Sequence, residues 1–462
     1  MLDSIDDFGI GGTMILKTNV RCFVYMLTAL LILAMTGVVC FADDPAASTA
    51  DQGILPVPDY SGEIGARAKL TGDWGGVRQN WADRGVTMEF DWYQTYQDII
   101  DGGFDEGSAN STNLDYRLTL DLMRMGLVPG ALVKVRGQSR FGDTVNGNSG
   151  VLLPVNMYSA FPFSSDVDED INFTITELNW LQFLSDQFGL LAGKITTLAT
   201  TNEFMGGEGR SQFMNFQLSF PAAVAQLAPY STLAVSAIWM PSPSWSVMTT
   251  LMNLKDASTT SGFDDIGDGT TWATTANYRA NLNKLPGGGS ISVYYGFDAD
   301  FAKIRGLNID PGNGGVSRET KSEAWALTWN GWQYIYVENN SDAVDPGNGR
   351  QDLEGGGLFA QVGIADEDTN PISWSFSIGL SGRGTIPGRD ADTWGLGYFY
   401  NDLQDLDRIF LEFENSTMGL EVYYDISLFG WAFLTLDAQW NQSAFQSIDN
   451  STIIGARLNV SF

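Results

Sequence analysis

The chain contains no histidine, and its two cysteines, Cys22 and Cys40, both lie early in its 462 residues. Without histidine the commonest general base and the commonest zinc ligand are missing, which argues against Ser-His-Asp hydrolases, barrel phospholipases of that type and zinc enzymes. No cysteine follows residue 40, so disulfides cannot hold the rest of the chain together. Positive charge is scarce as well: 25 Lys and Arg against 55 Asp and Glu give a net charge of −30, although only 17% of residues are charged. Such a surface repels a phosphate backbone, so no nucleic-acid partner is expected. After Ala42 no apolar run approaches the ~18 residues of a membrane-spanning helix, so any membrane passage there must use strands. What the chain has in quantity is aromatic residues (12%) and 52 glycines, a composition neither disordered nor helix-rich.

Lys17 and Arg21 precede an almost wholly apolar stretch from Cys22 to Val39, followed by Cys40-Phe41-Ala42 and then Asp43-Asp44-Pro45. This is the layout of a secretory signal peptide, residues 1–42, with Ala42 the last residue removed. A signal anchor is one rival reading. Lipid modification at Cys40 is another, against which Val39 is a poor preceding residue. The acidic stretch Asp3, Asp6 and Asp7 leaves Met1 and Met14 both open as the start. Removal of 1–42 leaves a net charge of −29.

Residues 43–85 read as a polar leader, flexible over 43–69, with a short helix over 73–84 capped by Asp73. From Val86 to Phe462 the dominant signal is alternation. Thr452, Ile454, Ala456, Leu458, Val460 and Phe462 share one face; Ile453, Gly455, Arg457, Asn459 and Ser461 share the other. A period of two with one apolar face predicts a strand. The same pattern recurs at 291–301, with Phe301 on the apolar face, and at 372–381, 420–428 and 432–441. Segments of about ten residues suit tilted strands crossing a bilayer.

Short turns are expected at Pro129-Gly130, Pro241 to Pro243, Asn330-Gly331 and Phe429-Gly430. Longer polar loops are expected at 98–112, 142–170, 255–270, 302–321, 340–355 and 443–450. About 17 segments qualify as strands; a single-chain bacterial barrel needs an even number, hence 16 to 18, with residues 408–415 a candidate for the missing strand. A secreted β-sandwich or propeller also alternates. Against it stand the small and charged residues along the polar faces, as in a wet lumen. Trp239, Trp245, Trp272, Trp325, Trp332, Trp394, Trp431 and Trp440 also recur near strand ends, as interface girdles do. The fold class is therefore all-β, a transmembrane antiparallel barrel over 86–462. A closing aromatic such as Phe462 resembles the signal read by the barrel assembly machinery.

Residues 70–85, LTGDWGGVRQNWADRG, resemble the opening motif of the carbohydrate-selective porin family, the OprB-type porins, through Leu70, Thr71, Gly72, Asp73, Trp74, Gly75, Gly76, Arg78 and Gly85. Gly384, Ile386, Pro387, Gly388, Arg389 and Asp392 match the family's Gly-x-Ile-Pro-Gly-Arg-x-x-Asp turn. Glu421, Tyr423, Tyr424, Gln439, Gly455 and Arg457 resemble its closing segment. The resemblance covers about residues 70–462 and implies a sixteen-stranded outer-membrane porin passing sugars and other small polar solutes down their gradients. The long acidic loops depart from the family, and they put the sugar preference in question more than the fold. A general or cation-preferring pore of the same architecture is the alternative, with a secreted sugar-binding protein and then a barrel enzyme behind it. No interface signature fixes a homo-oligomer.

Function in a pore resides in the size and charge of its constriction. Parity places Val86, Met88, Phe90 and Trp92 toward lipid and Glu89, Asp91 and Tyr93 inward. It likewise turns Asp115, Arg117, Thr119 and Asp121 inward, with Lys134, Arg136, Gln138 and Arg140. A basic row (Arg117, Lys134, Arg136, Arg140) thus lies beside an acidic one (Glu89, Asp91, Asp115, Asp121). Such rows order water and hydrogen-bond polar neutral solutes; they also neutralise one another and stiffen the wall. Trp74 and Trp81 either stack on a sugar ring or anchor the leader. The acidic runs Asp166, Asp168, Glu169, Asp170 and Asp264, Asp265, Asp268 lack the ligand spacing of a calcium loop. No metal or cofactor site is read, and no paired carboxylates mark a glycosidase.

Overall fold

The structure is a computed structural model that describes residues 53–164, 169–200, 202–310, 315–338, 353–405 and 412–462. The signal-peptide expectation lies outside them, as does most of the acidic run at 166–170. The first strands are β1 (Val86–Asp101), β2 (Gly107–Asp121), β3 (Ala131–Gly142), β4 (Ile171–Ser185), β5 (Phe188–Thr196), β6 (Ser231–Ser242), β7 (Trp245–Asn253) and β8 (Thr270–Leu282). They continue as β9 (Leu285–Asp310), β10 (Gly315–Val337), β11 (Gly355–Ala365), β12 (Ile372–Arg383), β13 (Thr393–Leu403), β14 (Ser416–Phe429), β15 (Ala432–Asn441) and β16 (Ser451–Ser461). Each pairs antiparallel with its chain neighbour, and β1 pairs with β16, closing a sixteen-stranded barrel. Among the described residues no helix is long and apolar enough to cross a membrane; closure satisfies the backbone by strand pairing instead.

The faces are inverted relative to a soluble sandwich. Outward Leu396, Leu420, Val422, Leu436 and Ile454 are 39–48% exposed, while inward Glu421, Asn441 and Arg457 are 0–1% exposed. Apolar side chains that find no protein partner outside, over polar ones packed inside, suit a lipid exterior.

The sequence patterns fail at specific places, each for a local reason. The helix α1 covers only Val77–Asp83, and its N-cap is Gly76 in the left-handed region. Trp74, Gly75 and Gly76 all have positive φ, so the chain cannot enter a helix at Asp73, whose carboxylate instead accepts the Gly75 N–H at 3.0 Å. Asn330-Gly331 is no turn but lies in the middle of β10, and the expected loop at 302–321 is largely the extension of β9 and β10. Phe301 points into the core, not toward lipid, because the positive φ at Asp298 and register shifts in the β9–β10 pairing reverse the parity. Trp332, expected in a girdle, lies on the inward parity of β10 and packs on Phe204 and Tyr334. Residues 340–355 fall mostly outside the described residues. Of the candidate strand 408–415, residues 408–411 also lie outside, and Phe413 makes an isolated bridge to Phe445.

From residue 54 the leader is hydrogen-bonded to the barrel. Ile54 and Leu55 donate to Asp121, and the Trp431 indole donates to the Ile64 carbonyl at 2.7 Å. It underlies the β1–β16 seam, where β16 stops short and leaves Val86 to Phe90 of β1 without a strand partner on that side. Arg78 fills that gap, donating from Nη2 to Met88 O at 2.7 Å and to the main-chain oxygen of Phe462 at 2.9 Å, while the Leu70 N–H reaches Ser461 O at 2.7 Å. Trp74 and Trp81 stand edge to face at 6.1 Å and remain more than 40% exposed. The opening motif therefore closes the seam through Arg78, and the indoles are not the buried anchor.

Candidate pore constriction

Two loops fold into the barrel, the β3–β4 loop (143–170) and the β5–β6 loop (197–230). The second carries the one-turn helix α2 (Phe216–Ser219), capped by Asn215, which accepts the Gln217 N–H at 3.0 Å. Phe161, Phe216, Phe220, Val224, Leu227 and Tyr230 bury themselves against Ala324, Ala326 and Ala365 of the wall. Phe204, Phe213 and Leu218 do the same against Tyr334, Phe359, Phe399 and Tyr423. The wall leaves room for them: a Cβ on Gly397 would come within 2.7 Å of Leu218. Burying each large apolar side chain is worth ~1.5–3 kcal/mol, so the loop is fixed on the β9–β14 side of the lumen. Gln361 and Ser377 add hydrogen bonds to the Gln217 carbonyl at 2.8 and 2.6 Å.

Charged side chains gather on the β1–β4 wall. Asp115 is fully buried at their centre. Arg136 grips it with Nε at 3.1 Å and Nη2 at 2.6 Å, Arg117 approaches at 3.1 Å, Arg210 at 3.6 Å, and the Tyr158 hydroxyl donates at 3.0 Å. Arg117 also meets Glu89 at 3.2 Å and Asp91 at 3.4 Å, and Lys69 of the leader lies 3.7 Å from Asp91. Arg136 lies 3.7 Å from Glu177 and 3.9 Å from Glu208, and Arg210 pairs with Glu208 at 2.7 Å. A buried carboxylate without partners costs several kcal/mol; three guanidiniums compensate Asp115. Asp115 and Arg136 sit behind, while Glu89, Arg117, Glu177, Glu208 and Arg210 keep 20–28% of their side chains open to solvent. These five side chains, donors and acceptors alternating, are the partly exposed members of the network.

Within the loops the electrostatics follow from burial and neighbours. Burial pushes the Glu208 carboxyl up, but Arg210, Arg136 and Arg117 outweigh it and hold it below the ordinary glutamate value. Burial disfavours the Arg210 cation, and Glu208 more than restores it. Burial pushes the Tyr158 and Tyr230 hydroxyls up, so both stay protonated donors, Tyr230 to Gln138 Oε1 at 2.6 Å.

The candidate residues thus fall into two groups. Glu89, Asp91, Asp115, Arg117 and Arg136 come together. Asp121 stands apart at the turn rim, holding the N–H groups of Ile54, Leu55 and Arg124. Lys134 is exposed and has no ion pair among the described residues. Arg140 donates to the carbonyls of Ala160, Pro162 and Glu169 at 3.0–3.1 Å, clasping the β3–β4 loop rather than a solute. Asp392 orders the Gly-x-Ile-Pro-Gly-Arg turn, accepting from Arg389, the Tyr424 hydroxyl and the Ser427 N–H at 2.6–2.9 Å. Sequence reasoning missed Lys69, Glu177, Glu208 and Arg210. The signal for the last two was legible: Gly206-Gly207-Glu208-Gly209-Arg210 sits inside a long aromatic-rich stretch without alternation, unlike a solvated loop. Among the described residues no group of three or more acidic side chains is placed to hold a metal ion.

Known proteins share this architecture. The sequence is 20% identical to Porin B of Pseudomonas aeruginosa over 439 residues, covering 85% of this chain and 91% of that protein. The fold is similar to the high-pH structure of Pseudomonas putida OprB, with a TM-score of 0.71 at 18% identity over 87% of this chain and all of that one. For the low-pH structure of the same protein the TM-score is 0.52 at 17% identity, over 86% of this chain and 99% of that one. The family profile described as carbohydrate-selective porin, OprB family, matches residues 105–462. Sixteen strands closed into a barrel, two loops packed against its inner wall and a family match over most of the length place this chain in the carbohydrate-selective porin (OprB) family of outer-membrane proteins.

Proposed function

We propose that small carbohydrates and other polar solutes diffuse passively through the lumen beside the charged network where the β5–β6 loop meets the β1–β4 wall, and that Glu89, Arg117, Glu177, Glu208 and Arg210 hydrogen-bond them in transit. The observation carrying this reading is the network around Asp115, which fixes charged heads of both signs at one level of the lumen. Donors and acceptors held in place replace part of a sugar's hydration without reorganising, whereas a bare ion must pass heads of its own sign. The protein carries out no bond-making in this account. Contact of the outward face with outer-membrane lipid and recognition of Phe462 by the assembly machinery belong to the same proposal.

The test is single-channel recording in planar bilayers with glucose added to one side. Sugar dwelling among these groups interrupts the ion current, and Arg117→Gln shortens the interruptions. Current that glucose affects only through solution viscosity, in wild type and variant alike, contradicts the proposal. A cation-preferring pore is the second reading, favoured by the net charge of −30. It requires a reversal potential near the cation limit in a salt gradient, with no sugar-dependent interruptions.

A further inference from the structure

The closing-segment residues Glu421, Gln439 and Arg457 lie on β14, β15 and β16, two to four strands along the wall from β2 and Asp115, and all three are buried. They converge on one stretch of the β5–β6 loop. Glu421, fully buried, accepts the N–H groups of Met214 at 2.6 Å and Asn215 at 3.0 Å. Arg457, 1% exposed, donates to the carbonyls of Gly209 at 2.5 Å and Gln212 at 2.9 Å and to the Thr435 hydroxyl at 3.1 Å. Gln439 accepts from the Asn215 amide at 3.2 Å and donates to the Val155 carbonyl at 3.0 Å, so it holds both inward loops at once. Neighbouring strands present the three side chains in register, Glu421 opposite Gln439 and Arg457 opposite Thr435.

The stretch they grip is strained. Glu208 and Gln212 have φ values of +52° and +57°, and Gly209 between them has +71°. Residues with side chains keep the left-handed conformation only where their surroundings over-determine it. Here the over-determination is visible: Arg457 holds the carbonyls of Gly209 and Gln212, and Glu421 holds the next turn. Gly209 sits directly between Glu208 and Arg210, the two loop residues that meet Arg136 and Asp115.

We propose that Glu421, Gln439 and Arg457 are positioning residues for the pore. They form a cradle that fixes the strained 208–215 turn and thereby sets where the Glu208–Arg210 pair stands in the aperture. Solute preference is thus controlled from a wall that no solute touches. This rests on the reading that the charged aperture selects solutes, and it assigns a role to motif residues that the aperture itself does not use.

The test compares Glu421→Gln, Arg457→Lys and Arg210→Gln in the refolded full barrel. It measures the flux ratio of glucose to a non-sugar solute of similar size, the reversal potential in a salt gradient, and heat-modifiable migration on gels as the check of folding. Glu421→Gln keeps the shape but replaces one of the two accepting oxygens with an NH2 donor that faces a backbone N–H, and Arg457→Lys keeps the charge but cannot reach both carbonyls. Both are expected to move the flux ratio and the reversal potential severalfold toward the Arg210→Gln values, with folding retained. Asn215→Ala removes the loop's side-chain bonds to Gln439 and Asn441 and the cap of α2 without altering the wall, and it must move both readouts in the same direction should a wall variant fail to fold. If Arg210→Gln changes selectivity while the cradle variants and Asn215→Ala behave as wild type, the cradle proposal fails and the aperture reading stands. If Arg210→Gln changes nothing, the aperture reading fails and the cradle falls with it.

Discussion

Arg136 and Asp115 form a two-point ion pair across β2 and β3, at 3.1 Å through Nε and 2.6 Å through Nη2, with neither side chain more than 5% exposed. They are diagonal neighbours in the ladder, Asp115 opposite Gln138 and Arg136 opposite Arg117. The two arginines face each other directly, and Asp115 is the group that makes their juxtaposition tolerable.

Asp115→Asn therefore leaves Arg117, Arg136 and Arg210 crowded without their shared counter-charge. Removing one partner of a buried pair typically costs ~3–5 kcal/mol, so the variant should unfold from vesicles at clearly lower urea concentration. The channels that remain folded should shift toward anions in reversal-potential measurements, because the aperture has lost a negative charge.

The aperture should resist mild acid. Glu208 is held below its ordinary value of 4.5 by Arg210, Arg136 and Arg117 against the effect of burial. A depressed acid contributes its full ion-pair stabilisation above the unfolded value and loses it only as pH falls through the lower folded value. The Glu208-dependent part of the reversal potential, read as the difference between wild type and Glu208→Gln, should thus stay flat from neutral pH down to the ordinary glutamate range and change only below it. A transition well above that range, lost in Glu208→Gln, would show Glu208 to be raised instead.

Much of this was legible before any coordinates. Strict alternation from Val86 onward predicts barrel strands because the period of two records which side of a sheet meets lipid. It also brought Glu89, Asp91, Asp115, Arg117 and Arg136 to one face. Parity could not say which inward charges meet one another: Arg140 and Asp121 share that face, yet loop carbonyls and leader amides consume them. Nor could it report Phe301, whose face follows the positive φ at Asp298 and the register shifts beside it. The inward course of 197–230 was the largest omission. Its seat consists of alanines and glycines spread over β10, β11 and β13, and no local pattern records a cavity assembled from such distant positions.

That seat is open to direct interference. A Cβ on Gly397 would lie 2.7 Å from Leu218 and 3.0 Å from Phe213. Gly397→Val should push the β5–β6 loop off the wall and alter single-channel conductance. The same substitution at Gly65, where nothing lies within 4 Å of the added carbon and φ is not in the left-handed region, serves as the control for added bulk alone. Equal conductance in both variants and wild type would mean that the loop adjusts without moving the aperture.

The seam offers a test of assembly. Arg78 supplies the hydrogen bonds that β16 cannot give to β1 at its start. Hydrogen bonds to charged groups contribute ~1.5–3 kcal/mol, so Arg78→Ala should lower the temperature at which the compact band converts to the unfolded one on gels. Arg78→Lys, which cannot span both oxygens with a planar fork, should recover only part of the loss.

The most direct measurement is solute flux into liposomes carrying refolded residues 43–462, using neutral sugars of rising size beside non-sugar solutes of matched size. The account predicts that mono- and disaccharides enter faster than their matched controls, and that Arg117→Gln or Arg210→Gln narrows the difference. Flux that follows size alone, equal for sugars and controls and unchanged by either substitution, would contradict it.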